Sequence, residues 1–286
     1  MSRNIDIEIV ADSINPAGKR ITSALWTYPR FIHAEIMTHR MFSRNAASSR
    51  AIPIKKMMQA VREDPAMPEW WGSNKPGMQA GEQLDGEAKA DALTNWLAAK
   101  TAALSFAEEL ESVGLHKQIA NRVLEPWMRI TVLVTATEWD NFFALRAHPA
   151  AQPEFQILAY RMLNAMVNLS QPKYLNWGEW HVPFDPGTDK SLHDRLVTSV
   201  AKAARTSYVA FDSNKTLEEQ ETLFKSMRDN GHWSPFEHQA QAVSGIMHSG
   251  NFTGNWRQYR QEFGGQNREH VDLAALLAAK PAWIEL

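Results

Sequence analysis

Cysteine is absent from all 286 residues, and no other feature removes as many folds and chemistries. No disulfide, thiolate-zinc site or iron–sulfur cluster can hold such a chain together, and no thiol can act as a nucleophile. The fold must rest on a buried apolar core, which 44% hydrophobic against 22% charged residues can supply. At roughly 150 residues per domain the length fits one large or two modest domains. Lys and Arg number 30 and Asp and Glu 32, a net charge of −2, so no global field draws the chain to nucleic acid or an anionic membrane. No stretch approaches the roughly 20 apolar residues of a spanning helix, and no signal-peptide core is present, which together predict a cytoplasmic protein.

Ile5, Ile7 and Ile9 alternate with Asp6 and Glu8, the period of a half-buried strand. Pro29 suits the first turn of a helix continued by Ile32, Ile36 and Arg40. The Pro- and Gly-rich run 63–86, with Trp70 and Trp71, reads as a long irregular loop of the functional or mobile kind. A helix is predicted over 87–113, where Leu93, Trp96, Leu97, Leu104 and Leu110 keep the helical period and Gly114 caps the end. The β-branched run 129–137 predicts a buried strand, followed by helices near 138–146 and 154–169. A second irregular stretch, 171–190, precedes helices near 191–205 and 217–230, the latter opened by a Thr216–Glu219 capping box. Residues 239–247 suit a strand and 271–279 a short helix. Helices outnumber strands without regular alternation, which points to an α+β fold.

Three polar clusters stand out. Thr38 to Arg50 (Thr-His-Arg-Met-Phe-Ser-Arg-Asn-Ala-Ala-Ser-Ser-Arg) is rich in arginine, serine and histidine. It is either an anion cradle, with arginine donating paired charge-assisted hydrogen bonds, or a solvated basic turn. Phe142 to Pro149, followed by Gln152 and Glu154, ends an apolar helical stripe on Arg146. That arginine is either a desolvated anion ligand or a cation on the negative end of a helix dipole. Gly231 to His238, preceded by Ala203 to Tyr208, holds two histidines around Glu237, but their spacing matches no zinc motif, and no metal site is expected. Neither a P-loop nor a dinucleotide-binding glycine fingerprint is present.

Together these segments resemble the flavin-dependent thymidylate synthase family. Its signature is Arg-His-Arg, seven residues, then Ser; here Thr38-His39-Arg40 and Ser48 reproduce it, with Ser43, Asn45 and Arg50 in register. Ala203-Ala204-Arg205-Thr206-Ser207-Tyr208 is similar to the family's Ala-Arg-Val-Ser-Tyr stretch, and Gly231 to His238 to its Gly-His-Glu-Ser-Pro-Phe-Glu-His stretch. Leu145-Arg146-Ala147 with Gln152 is similar to the segment that holds uracil. The order differs, since the stretches that come first in the family come last here. The resemblance therefore implies a circularly permuted single domain over 1–286. Residues 1–170 would carry the signature and pyrimidine-binding segments, 171–190 a linker loop, and 191–286 the family's N-terminal part. Asn255 to Arg260 resembles the lead-in to the signature, and phage-borne thymidylate synthase-like proteins share this layout. The pattern departs at Thr38 for the first Arg, Ala46 for a Glu, Glu35 for a nucleotide-contacting Gln, and Asn121 for a phosphate-contacting Arg, with Arg122 adjacent.

The resemblance implies a mixed sheet with a helical layer, and transfer of a one-carbon unit from methylene-tetrahydrofolate to C5 of a deoxypyrimidine monophosphate, dUMP to dTMP. FAD and NADPH would supply the reduction, and the protein would be a homotetramer. dCMP as substrate is the alternative within the family. A single-stranded nucleic-acid-binding protein is the alternative outside it. By the same implication Arg146 is the catalytic residue. Glu35, Ser48, Ser49, Arg50, Arg122, Arg146, Gln258 and Arg260 would bind substrate. His39, Arg40, Asn45, Asn141, Ser207, His232, Ser234 and Glu237 would bind the cofactor.

Overall fold

The alternation at Ile5 to Ile9 belongs to a strand, β1 (Asp6–Ile14), that runs on to a tight turn. Asn15 makes that turn by accepting hydrogen bonds from the backbone N–H groups of Ala17 and Lys19 through its Oδ1, while Gly18 takes the left-handed φ of 74°. The chain returns as β2 (Arg20–Pro29), antiparallel to β1 with a bulge between Ile9 and Ala11. The computed structural model describes residues 4–206, 215–263, 275 and 278–281. Ser207 and most of the helix expected at 271–279 lie outside them.

After β2 come the single-turn α1 (His33–Ile36), β3 (Ser43–Ala46), α2 (Ile54–Glu63), the long α3 (Gly86–Ser112) and the short α4 (Lys117–Ala120). Next are β4 (Arg129–Ala136), α5 (Asp140–Arg146) and α6 (Pro153–Asn164), extended by a π turn over Ala165–Leu169. Two-residue strands β5 (Lys173–Tyr174) and β6 (Trp180–His181) lead to α7 (Leu192–Arg205) and α8 (Leu217–Asp229). The short strands β7 (Ala240–Ala242), β8 (His248–Ser249), β9 (Phe252–Thr253) and β10 (Trp256–Gln258) follow. The fold is α+β. A five-stranded mixed sheet has the order β3-β4-β2-β1-β5, with only β5 parallel to its neighbour, and a second sheet has the order β10-β7-β6.

Side-chain alternation along β2 and β4 gives the large sheet two unlike faces. Ala24, Trp26 and Tyr28, with Val132, Val134 and Ala136, face one way and meet Phe142, Phe155, Leu158 and Met162 of α5 and α6. Trp26 is fully buried there, stacked on Phe142 at 5.3 Å and edge-on to Phe42 at 5.7 Å. Burying a side chain of this size contributes about 1.5–3 kcal/mol, and each aromatic pair about 0.5–1.5 kcal/mol more. A satellite cluster of Met57, Met58, Val61, Leu104, Ala107 and Trp127 attaches α2 and α3.

The other face carries hydroxyls. Ser23 Oγ lies 2.6 Å from Thr135 Oγ1 and 2.9 Å from His181 Nε2. His181 Nδ1 is 2.9 Å from Ser13 Oγ, and Thr135 Oγ1 is 2.8 Å from His238 Nδ1. This buried seam joins the sheet to the last third of the chain, which has its own core of Val197, Val200, Phe224, Phe236 and Tyr259. The sheet-side cluster of Ile21, Leu175, Ala240, Ala242, Phe252 and Trp256 continues it.

The structure corrects several expectations. The helix from Pro29 does not reach Arg40 but stops at Ile36. Thr38 donates its Oγ1–H and its N–H to the Glu35 carbonyl, and Arg44 donates to the carbonyls of Ile36 and Met37, so the helix end is satisfied and the chain turns. Residues 43–46, inside the segment read as an anion cradle or basic turn, pair with β4. Run 63–86 is ordered by an antiparallel bridge between Gly72 and Gln83. A Cβ at Gly72 would run into Ala80, so the loop closes only on glycine there. The segment 171–190 is no free linker, because β5 pairs with β1, β6 pairs with β7, and Leu175 and Val182 are buried. The strand expected at 239–247 is limited to β7.

Burial holds His181 and His238 down to about 3, with His181 adding to the lowering of His238. Both stay neutral when folded but take up protons near 6.5 when unfolded. Their contribution is complete above pH 6.5 and is lost as pH falls toward 3, at up to about 1.4 kcal/mol per unit for each histidine. Folded-state carboxylates such as Glu138 and Asp185 are also lowered, but they act only below their unfolded values near 4. Denaturant midpoints are therefore expected to fall between pH 6.5 and 5; a flat profile there would contradict the neutral seam.

Candidate active site

Arg146 ends α5, on the aromatic side of the large sheet, where Phe142 and Phe143 root the helix in the core. Its Nε donates to His39 Nε2 at 3.0 Å, its guanidinium carbon sits 4.3 Å above the Phe155 ring centre, and Nη1 is 3.5 Å from Glu35 Oε2. His39 is 8% exposed, stacked on Phe42 and edge-on to Phe142 and Phe155. Burial, then Arg146 and Arg44, hold it down to about 4. A neutral ring is what the geometry requires, since a protonated Nε2 could not accept from Arg146. Glu35 and Arg146 thus stand side by side, one from α1 and one from α5, with His39 fixing the guanidinium from behind.

They open onto a cavity of about 1090 Å³ whose walls include Phe31, Trp70, Trp96 and Gln152. Its outer wall is the loop between α2 and α3. The Glu69 N–H donates to Glu154 Oε1 at 2.7 Å, and Trp96 Nε1 donates to the Ala66 carbonyl at 3.3 Å. Gln152 Nε2 donates to Glu154 Oε2 at 3.1 Å, so both oxygens of this carboxylate, 2% exposed, are engaged. The cavity wall therefore combines the charged pair Glu35 and Arg146 with the aromatic rings of Phe31, Trp70 and Trp96. Sequence reasoning named Glu154 beside the second polar cluster without giving it a role, and it missed Phe31. Glu154 carried one signal, an acid in the first turn of a helix after Pro153. Phe31 carried none.

The remaining candidates gather elsewhere. Glu125 accepts from Ser49 Oγ at 2.9 Å and from Arg122 at 2.7 Å, and forms an ion pair with Arg30 at 3.1 Å. Asn121 Nδ2 donates to the carbonyls of Ser49 and Ile52, which fixes the Ser48–Arg50 turn. Ser48 Oγ accepts from the Arg50 N–H, and the Arg50 side chain is exposed. None of these residues lines the cavity. Gln258 and Arg260 do come back to the signature from the far end of the chain. Gln258 Nε2 donates to Ser43 Oγ and to the Glu237 carbonyl, each at 3.0 Å, and Arg260 pairs with Glu237. Burial pushes the Glu237 carboxyl up, against the lowering pull of Arg260 and Arg44.

Several of the residues assigned to a flavin gather in one place, where Thr206 Oγ1 donates to the Asn45 carbonyl and the turn Ser234–Glu237 packs on β3. Asn45 donates to the Ala203 carbonyl inside the fold. Arg40, Asn141, His232 and Ser234 are exposed, and Ser207 lies outside the described residues. Asn45 Oδ1 is buried without a hydrogen-bond partner. These residues are not among those that line the cavity. Among the described residues no group of three or more His, Asp or Glu side chains is placed to hold a metal ion, and no helix is long and apolar enough to cross a membrane.

Residues 20–170 match the family described as Thy1, thymidylate synthase complementing protein. Among solved structures, the chain is similar to a UMP/dUMP methylase, PolB, from Streptomyces cacaoi bound with 5-Br UMP, at 19% identity and a TM-score of 0.47 over 58% of this chain and 89% of that one. The same enzyme bound with 5-Br dUMP gives 16% identity and a TM-score of 0.47 over 58% and 90%. No curated protein matches.

The arginine's position yields a stability test. Arg146→Ala removes the donor to a buried imidazole and is expected to cost about 1–3 kcal/mol in urea unfolding. Arg146→Lys keeps the charge but has no Nε–H in that place, so it should recover less than half of the loss. Full recovery by lysine would show that charge alone matters there.

Proposed function

The chain belongs to the thymidylate synthase complementing protein family, and from that premise we propose that it is an enzyme transferring a one-carbon unit to C5 of a deoxypyrimidine 5′-monophosphate, dUMP to dTMP being the reference reaction. The observation that carries this is the oriented Arg146 guanidinium beside Glu35 in the wall of the cavity.

A pyrimidine reacts at C5 as a nucleophile when negative charge on its ring is stabilised. A guanidinium fixed against the base edge does this in a partly dry cleft, where preorganised donors are worth far more than in water. Arg146 suits the role because the ring of Phe155 and the neutral Nε2 of His39 hold it without cancelling its charge. His39 is the positioning residue. It accepts one guanidinium hydrogen and leaves the terminal N–H groups for substrate. No thiol is present to add at C6, so the route through a covalent cysteine adduct is closed.

In this proposal methylene-tetrahydrofolate supplies the carbon, and FAD with NADPH supplies the reduction, as cofactors carry the hard step of such reactions. Ser48, Ser49, Arg50 and Arg122 remain the proposed phosphate ligands, and His39, Arg40, Asn45, Asn141, Ser207, His232, Ser234 and Glu237 the proposed cofactor ligands. A homo-oligomer reconciles their separation from the cavity, since a second copy would bring its signature face to the first copy's cleft. Gln258 and Arg260, which reach Ser43 and Glu237 across the chain, fit a circular permutation that returns the family's lead-in segment to its usual place.

Incubation with FAD, NADPH, methylene-tetrahydrofolate and a deoxypyrimidine monophosphate, followed by mass analysis of the nucleotide, tests the proposal. A product heavier by one methyl or hydroxymethyl group is expected. Arg146→Ala should lower kcat/KM by about 100- to 1000-fold. Absence of both a flavin spectrum and a modified nucleotide would refute the proposal.

A further inference from the structure

The base end of the cavity is asymmetric in its hydrogen-bonding pattern, and that asymmetry selects among pyrimidines. Arg146 spends its Nε–H on His39. Its Nη1 lies 3.5 Å from Glu35 Oε2, a long and weak contact between partly exposed groups that adds little to stability. Glu35 Oε1 takes no hydrogen bond among the described residues. Arginine offers only donors and an ionised carboxylate only acceptors. Across the pair the protein therefore presents donor, donor, acceptor.

A pyrimidine's edge opposite C6 carries O2, the N3 position and the C4 substituent. In cytosine these are acceptor, acceptor, donor; in uracil they are acceptor, donor, acceptor. The cytosine edge complements the pair at all three places, with Arg146 donating to O2 and N3 and Glu35 accepting from the 4-amino group, a pairing carboxylates make with cytosine elsewhere. Uracil in the same pose sets N3–H against an arginine N–H and O4 against the carboxylate. Shifted by one place it gives N3–H to Glu35 and O2 to Arg146, but leaves O4 without a donor.

We propose that Glu35 is the specificity-determining residue of the base site and that the cleft prefers a 4-amino pyrimidine, dCMP, to dUMP. This rests on the assignment of the cavity as the pyrimidine site. It refines that assignment, because dCMP undergoes the same C5 chemistry. Among the residues lining the cavity, Glu35 and Glu154 are the carboxylates. The second carboxylate of the cleft, Glu154, has both oxygens engaged by Gln152 and the Glu69 N–H. A neutral glutamine at position 35 would offer its own N–H₂ to O4 and so accommodate uracil.

The test is titration of the full-length protein with dCMP and with dUMP by calorimetry, for the wild type and for Glu35→Gln. An isosteric change at an exposed end of a one-turn helix is not expected to disturb folding, and a thermal scan confirms it. In the wild type dCMP is expected to bind about tenfold or more tightly than dUMP, the order expected for one or two unmatched polar groups. In Glu35→Gln the ratio should fall to near one or reverse. Equal or tighter binding of dUMP by the wild type, or an unchanged ratio in Glu35→Gln, overturns the proposal and leaves the cavity as a pyrimidine site. Binding of neither nucleotide overturns both.

Discussion

The two unlike faces of β2 and β4 govern everything else in this fold. Trp26 and its neighbours commit one face to α5 and α6, and Ser23 and Thr135 commit the other to the last third of the chain. A one-residue slip of β2 would turn Trp26 toward the histidine seam and Ser23 toward the aromatic core, so the register is strongly specified. The proposed active-site cleft opens where the aromatic face runs out. His39 is the last ring of that stack and Arg146 the first cation beyond it.

Magnitudes decide what holds Arg146. A partly exposed ion pair contributes about 0–1 kcal/mol, and at 3.5 Å the contact with Glu35 belongs at the low end. A cation over a ring contributes about 0.5–2 kcal/mol, and a charge-assisted hydrogen bond about 1.5–3 kcal/mol. Phe155 and His39 therefore hold the arginine, and Glu35 stays free for a ligand. That division depends on His39 being neutral, which its burial and the nearby Arg44 and Arg146 ensure. A protonated imidazole would repel the guanidinium and empty the proposed base site of its cation.

Much of this was legible in residue patterns, and the failures share a cause. The long helix α3, strand β4 and the capped helix α8 were clear because each carries a periodic or capping signal of its own. β2 was not, because Thr22 and Ser23 are fully buried beside Ile21 and Ala24. A strand with both faces covered shows no polar alternation. β5, β6, β7 and β10 are two or three residues long and exist through long-range pairing, which no local window records. Arg146 stood out as a cation ending an apolar stripe. Ser48 to Arg50 stood out equally, yet the structure turns Ser49 onto Glu125. Composition marks a polar cluster, but the direction of each side chain depends on partners far away in sequence.

The most direct test of the account is a crystal structure with a deoxypyrimidine monophosphate bound. The account predicts the base in the cavity between α1 and α5, its O2 and N3 edge on Arg146 and its C4 substituent beside Glu35. A nucleotide seated instead at the Ser49–Arg122–Glu125 cluster, with the Arg146 cleft holding no base, would contradict it.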